Sequence, residues 1–235
     1  MTRRRWIADR VEGDQAWLLG PNASHLFRVL RVKIGQEFDV AANGVPRAAT
    51  VVSASHDQVE FLLGAVIESE ALPQITVYLS LFKFDRMEWA LEKLTELGVA
   101  EIVPVIAQRT EKHLAKAALA RVERWRKIAH ESSQQARRVA PPQIAAPAEL
   151  KKAIAATAGS RIVLAETEEH ISLKAALAEC RPPLGLAFGP EGGWSETELE
   201  FFRTSGWKPA SLGNTILRAE TAAIAATAIA AAELF

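Results

Sequence analysis

Leu184-Gly185-Leu186-Ala187-Phe188 runs directly into Gly189-Pro190-Glu191-Gly192-Gly193-Trp194-Ser195, an apolar stretch of strand length that ends in a glycine-rich loop. Such a run suits a strand of a parallel sheet covered on both faces. Ser195 and Glu198 have the spacing of a capping box, so a helix is expected to begin on the far side of the loop. Ligands of open α/β sheets bind beyond the carboxyl ends of the strands, which is where this loop stands. Glycines there let backbone approach a ligand with no Cβ in the way, although a tight turn explains an isolated loop of this composition equally well. No Lys-Ser/Thr pair follows the loop and Gly-x-Gly-x-x-Gly is absent from the chain. That argues against an NTPase phosphate loop and a standard dinucleotide site.

Working outward, residues 75–81, 102–106, 162–165 and 211–212 read as further strands, alternating with helical segments, so a mostly parallel sheet covered by helices is expected. A helix over 86–97 is expected with Asp85 as its cap, Glu88 in the reciprocal position and Gly98 as its stop. A long amphipathic helix is expected over 114–139, ended by Pro141-Pro142. Upstream of residue 70 the pattern differs. Short β segments near 6–7, 16–19, 37–41, 48–54 and 59–63, separated by turn signals such as Asn43-Gly44, suggest a small β-barrel. One helix interrupts it over 23–31, with Asn22 as cap, an apolar stripe of Leu26, Val29 and Leu30, and Arg28 and Arg31 on the solvated side. The expected domains are therefore 1–70 and 71–235.

The 235 residues, 49% apolar and 24% charged, can bury a real core. A single cysteine, Cys180, excludes an intramolecular disulfide framework and a cysteine-cluster metal site. The five histidines are scattered without a helical ligand spacing, and no metal is expected. A basic N-terminus is followed by Asp9, Glu12 and Asp14 where a signal peptide needs an apolar run, so a cytoplasmic location is expected. The alanine-rich stretch 221–235 is too short to span a bilayer, and its all-round apolar surface asks for burial in the core or at a subunit interface. The 28 basic and 28 acidic residues cancel, yet residues 105–140 hold nine bases against three acids, a local surplus of positive charge.

A second constellation, Leu212-Gly213-Asn214-Thr215-Ile216-Leu217-Arg218-Ala219-Glu220-Thr221, enters the last helix. Taken alone, Arg218 and Glu220 fit an exposed helix start, the carboxylate favoured by the helix dipole. Together with Gly189-Pro190-Glu191-Gly192-Gly193, however, the stretch resembles the ribosomal small-subunit RNA uridine-N3 methyltransferases of the SPOUT superfamily. His25-x-x-Arg28-Val29-Leu30-Arg31 is similar to the motif of that family's N-terminal PUA-like barrel. Lys83-x-x-Arg86-x-Glu88, Glu96-Leu97-Gly98-Val99 and Pro104 resemble the opening of its catalytic domain, and Trp125-x-Lys127-Ile128, Glu131 and Gln135-x-x-Arg138 its long helix. Either of Arg137 and Arg138 can be the family arginine.

The resemblance implies a trefoil-knotted α/β domain behind a PUA-like β-barrel, with S-adenosylmethionine as cofactor and a homodimer sharing its active sites. Leu164, Phe188, Leu212, Ile216 and Leu217 would wall an adenine, while Gly189, Pro190, Glu191, Gly192, Gly193 and Gly213 would meet its polar edge and the ribose. Arg218 would stabilise charge on the uracil oxygens, and Glu220 would act as base or position the uracil edge. Ribosomal RNA, free or in the assembled small subunit, would meet Arg3, Arg4, Arg28, Arg31, Lys83, Arg86, Arg137 and Arg138. Two other readings stay open at this point: a knotted RNA 2′-O-methyltransferase, and a non-catalytic RNA-binding or ribosome-assembly module.

Overall fold

A computed structural model describes residues 4–155 and 157–234. Arg3 and the last residue of the stretch 221–235 lie outside the described residues. The chain forms two compact units, one of residues up to Ala71 together with His130–Pro141, the other of Leu72–Ala129 and Pro142 onward. The segment His130–Pro141, which the division at residue 70 leaves with the second domain, is thus grouped with the first.

The first unit is a six-stranded mixed sheet: β1 (Arg5–Ile7), β2 (Arg10–Glu12), β3 (Gln15–Leu19), β4 (Glu37–Ala42), β5 (Val45–Ala54) and β6 (Gln58–Val66). Its spatial order is β1-β4-β5-β6-β3-β2, with only β1 and β4 parallel. The two outer strands, β1 and β2, are joined by Ala8-Asp9 alone, so the sheet must curl until its edges approach, giving a half-barrel. Trp6, Leu18, Leu26, Val40, Val51, Val59 and Phe61 fill its inside. The helix expected over 23–31 is different. A short α1 (Gly20–Ser24) starts earlier, with Pro21 in its first turn and no side-chain cap from Asn22, and continues as a π-helical turn over His25–Val29. That widening breaks the 3.6-residue period behind the expected stripe: Leu26 is buried, whereas Val29 and Leu30 are 64% and 51% exposed. Arg28 and Arg31 are exposed, as expected.

Within the same unit, the Arg5 guanidinium donates to the carbonyl of Arg137 at 2.6 Å, and that of Arg137 to Asp39. Arg138 is buried, its Nε donates to the Ala140 carbonyl at 3.1 Å, and burial pushes its guanidinium down to about 10.

The second unit carries β7 (Ile75–Ser80), α2 (Phe84–Glu96), β8 (Glu101–Ile106), α3 (Lys112–Ala117) and α4 (Val122–Gln135), the last crossing into the first unit. Then come β9 (Gln143–Ile144), β10 (Ala148–Glu149), α5 (Leu150–Ile154), β11 (Ser160–Leu164), α6 (Leu173–Leu177), β12 (Leu184–Phe188), α7 (Glu196–Thr204), β13 (Lys208–Ala210) and α8 (Ala219–Leu234). All strands pair in parallel in the order β10-β8-β7-β12-β11-β13, with β9 also on β8. Alternation sends Ile75, Val77, Leu79, Leu184, Leu186 and Phe188 to a face covered by α2, α6 and α8. Tyr78, Val103, Val163 and Ala187 go to the opposite face, under α5 and α7. This is the SPOUT-type α/β arrangement behind a small curled β domain.

Four local expectations are corrected. The helix expected over 114–139 is broken into α3, a 3-10 turn over Leu119–Arg121 and α4, and stops at Gln135. Lys83, not Asp85, stands at the N-cap of α2. Glu88 turns away to take both arms of Arg124 at 2.7 Å, so no capping box forms. The last strand lies at Lys208–Ala210, and Ser211 adds only a lone bridge to Ser172. Gly98 ends α2 at φ +85°, a conformation that suits glycine, and Cys180 is buried and free.

Candidate active site

The loops leaving β11, β12 and β13 at their carboxyl ends enclose a cleft of about 760 Å³, large enough for a cofactor-sized ligand. Five residues selected from the sequence, Leu164, Phe188, Leu212, Ile216 and Leu217, give it an apolar wall. Gly189, Pro190, Glu191, Gly193, Gly213 and Arg218 line it from the loops, whereas Gly192, expected to meet the cofactor, is not on the lining. Ile216 is 86% exposed, an apolar side chain with nothing over it.

The glycine-rich loop is held from several sides. Arg109 donates to the carbonyl of Gly192 at 2.7 Å, Gly193 N–H to the carbonyl of Pro190 at 2.8 Å, and Trp194 Nε1 to the carbonyl of Leu164 at 3.1 Å. Gly193 adopts φ +68°, a conformation that calls for glycine, while the 2.8 Å approach of a Cβ to Glu166 Oε1 could be relieved by the flexible Glu166 side chain. Beyond it, Ser195 and Glu198 form the expected capping box at the start of α7, and Glu198 also accepts from the backbone of Gln108 at 2.7 Å. A loop fixed this way presents its backbone in one arrangement before any ligand arrives.

Carboxylates of Glu166, Glu168, Glu169 and Glu191 face the cleft, against only two cations among its lining residues, Arg86 and Arg218. The backbone N–H of His170, assisted by that of Ile171, holds the Glu168 carboxyl below its usual range. The arrangement favours a ligand with a flat apolar part, hydroxyls and positive charge over a polyphosphate.

Glu220 is placed differently from its neighbour Arg218. Its side chain is 7% exposed and not on the cleft lining, and Oε2 has no hydrogen-bond partner among the described residues. Arg86, grouped in sequence with the RNA contacts, instead lines the cleft, 3.1 Å from Glu191 and 3.8 Å from Glu220. Sequence reasoning missed Arg109, Glu166 and Trp194. Glu166 was findable, since it follows a strand end under the same rule that singled out the glycine loop.

The basic residues expected to meet nucleic acid divide in two. Arg28, Arg31 and Lys83 are exposed. Arg4 lies with its guanidinium 5.1 Å from the centre of the Trp6 ring, Arg137 stays 42% exposed although it pairs with Asp39, and Arg138 is buried. Among the described residues, no cluster of three His, Cys, Asp or Glu side chains could hold a metal, and no helix is long and apolar enough to cross a membrane.

A family profile described as an RNA methyltransferase domain matches residues 68–231. The chain is 34% identical over 212 residues to the ribosomal RNA small subunit methyltransferase E of Synechocystis, covering 87% of this chain and 68% of that one. It is 31% identical to the Bacillus subtilis protein of the same name, covering 87% and 85%. The crystal structure of a ribosomal RNA small subunit methyltransferase E from Neisseria gonorrhoeae bound to S-adenosylmethionine superposes with a TM-score of 0.83 at 25% identity, covering 97% and 96% of the two chains. A Legionella pneumophila structure in complex with the same cofactor gives 0.85 at 26% identity, covering 99% and 98%.

Proposed function

The chain belongs to the ribosomal RNA small subunit methyltransferase E family, and from that premise we propose that it methylates N3 of a uridine in small-subunit ribosomal RNA, using S-adenosylmethionine. The observation that carries the reading is the cleft itself. An apolar wall for an adenine, a rigid glycine loop whose backbone can come close, and carboxylates suited to ribose hydroxyls and positive charge stand together at one end of a parallel sheet. When bound, the cofactor supplies a methyl group on a positively charged sulfur.

The protein's own share is orientation and electrostatics. Uridine N3 carries a proton that has to leave, and negative charge then spreads to the two flanking carbonyl oxygens. Arg218, exposed at the cleft and without an ion pair among the described residues, can donate to one of them. Glu220, at the start of α8, is the acidic member of the constellation. Arg28 and Arg31 on the first unit and Lys83 on the second offer exposed charge to phosphates, contacts that position RNA without reading its sequence. The place of action is the cytoplasm, where ribosomal subunits are made.

The test is methylation of small-subunit RNA, free and in assembled subunits, followed by nucleoside mass spectrometry. 3-Methyluridine is expected; a 2′-O-methyl product or no methylation would overturn the reading. Gly192→Val isolates the cofactor's place. A Cβ there meets the Arg109 side chain at an ordinary 3.6 Å, so the fold should survive. Gly192 is off the cleft lining, so the branched side chain should act by displacing Arg109 from the Gly192 carbonyl and shifting the loop residues that do line the cleft, weakening cofactor binding roughly tenfold or more, ~1.4 kcal/mol. Unchanged calorimetric affinity would put the cofactor elsewhere.

The protein is further proposed to act as a homodimer, for α8 is apolar on every side while its buried residues, Ala223, Ala226, Thr227 and Ala230 with Glu220, form one stripe. Ile229 is left 38% exposed. Light scattering should show a dimer that Ile229→Glu converts to monomer, by forcing an unpaired charge into the interface. A fully active wild-type monomer at micromolar concentration would overturn the proposal.

A further inference from the structure

We infer that Arg86 is a substrate-facing residue of the cleft and that Glu220 acts through it, as a positioning residue and not as the acceptor of the uridine proton, which passes to solvent water. The inference rests on the methyltransferase reading of the same site.

A proton acceptor has to come within hydrogen-bond reach of the proton it takes. The Glu220 side chain is covered, at 7% exposure, and off the cleft lining, whereas Arg86, its side chain 31% exposed, lines the cleft. Arg86 Nη1 donates to Glu191 Oε1 at 3.1 Å, and Nε faces Glu220 Oε1 at 3.8 Å. A guanidinium has five N–H donors, so after these two carboxylates are served it still has donors for an oxygen in the cleft. Uracil presents such an oxygen on each side of N3, and both gain negative charge as the proton leaves.

Glu220 is bound to this cation by its own burial. With Oε2 unpartnered among the described residues, the carboxylate is short of hydrogen bonds, and removing Arg86 would leave it a buried charge without a counterion. Glu191 belongs to the glycine-rich loop, so the same guanidinium ties α2 to that loop. Arg86 thus stands on the side of the cleft formed by α2, opposite in chain origin to Arg218, and the two cations can serve the two oxygens of one base.

The pairing can be read without any ligand. Arg86→Met should lower the melting temperature, and adding Glu220→Gln should restore part of the loss. Arg86→Lys keeps the charge but not the planar fork, so it should melt near wild type. In single turnover, Arg86→Met, Arg86→Lys and Glu220→Gln should each lose ~10²- to 10³-fold in rate, the scale of a lost transition-state donor. Cofactor affinity should stay within about threefold of wild type. The Arg86→Met/Glu220→Gln double variant should be no slower than Arg86→Met alone, because the two act as one unit. The acid limb of the pH–rate profile should persist in Glu220→Gln.

Losses that multiply in the double variant, or an acid limb that vanishes with Glu220, would make Glu220 the proton acceptor and overturn the inference. So would a tenfold weaker cofactor in Arg86→Lys, which would assign Arg86 to the cofactor. Failure of the wild-type protein to bind cofactor would overturn the methyltransferase reading, and this inference with it.

Discussion

Arg218→Ala is expected to slow methyl transfer by ~10²- to 10⁴-fold, the range for losing one charge-stabilising or proton-handling group, while melting temperature and cofactor affinity stay close to wild type. The separation follows from its placement. Arg218 is exposed on the loop between β13 and α8 and makes no ion pair with the described residues, so its removal strands no buried charge. A side chain with that exposure contributes little to stability, and a large effect on rate therefore has to come from the reacting groups. Single-turnover assays with a labelled methyl donor, paired with thermal melts, measure both quantities. Wild-type rates, or a rate loss matched by unfolding, would remove Arg218 from the chemistry.

The second large effect is structural. Gly159→Val should destabilise the protein by roughly 2–6 kcal/mol, from backbone strain and overpacking of about 1–3 kcal/mol each. Gly159 has φ +71°, and a Cβ there would fall 2.0 Å from the carbonyl oxygen of Pro183. That oxygen accepts from Ser160 N–H at 3.0 Å where β11 meets β12, so it cannot move aside without loosening the two strands that lead into the cleft. The melting temperature should fall by on the order of 10 °C, at about 2–4 °C per kcal/mol for a chain of this size. A shift of under about 2 °C would contradict the local geometry.

How much was legible in the sequence depended on whether the determining contacts were local. β12 and its loop could be read because a strand buried on both faces is an apolar run, and because a loop that needs φ > 0 or close approach uses glycine. β2, Arg10-Val11-Glu12, could not: an edge strand this short and polar has no period to detect. β13, Lys208-Pro209-Ala210, hid for the same reason. The π turn at His25–Val29 defeated an argument built on the α-helical period.

At the cleft, Arg218 and the apolar wall other than Leu164 were legible because they sit in contiguous motifs, and Leu164 because it ends an apolar strand. Arg86 is grouped with the RNA contacts in the sequence because it is a basic residue of the motif that opens the second domain, beside Lys83. Only the packing of α2 beside α8 reveals that it stands between Glu191 and Glu220. Arg138 shows the converse, a cation that sequence presents as available and folding withdraws.

The strand order has a consequence for how the protein comes off the ribosome. The curled sheet of the first unit is built largely from neighbours in sequence, with β4, β5 and β6 joined by short turns. At the centre of the second sheet, Ile75 pairs with Leu184, about 110 residues further on, and contacts of that range close slowly. During synthesis from the N-terminus, the antiparallel strands can therefore pair while β7 still waits for β12. The third loop of the cleft and α8 follow later still. The cleft proposed as the methylation site is the last part of the molecule to exist, and a chain stalled before residue 211 would carry the whole first unit while still lacking the last loop of that cleft.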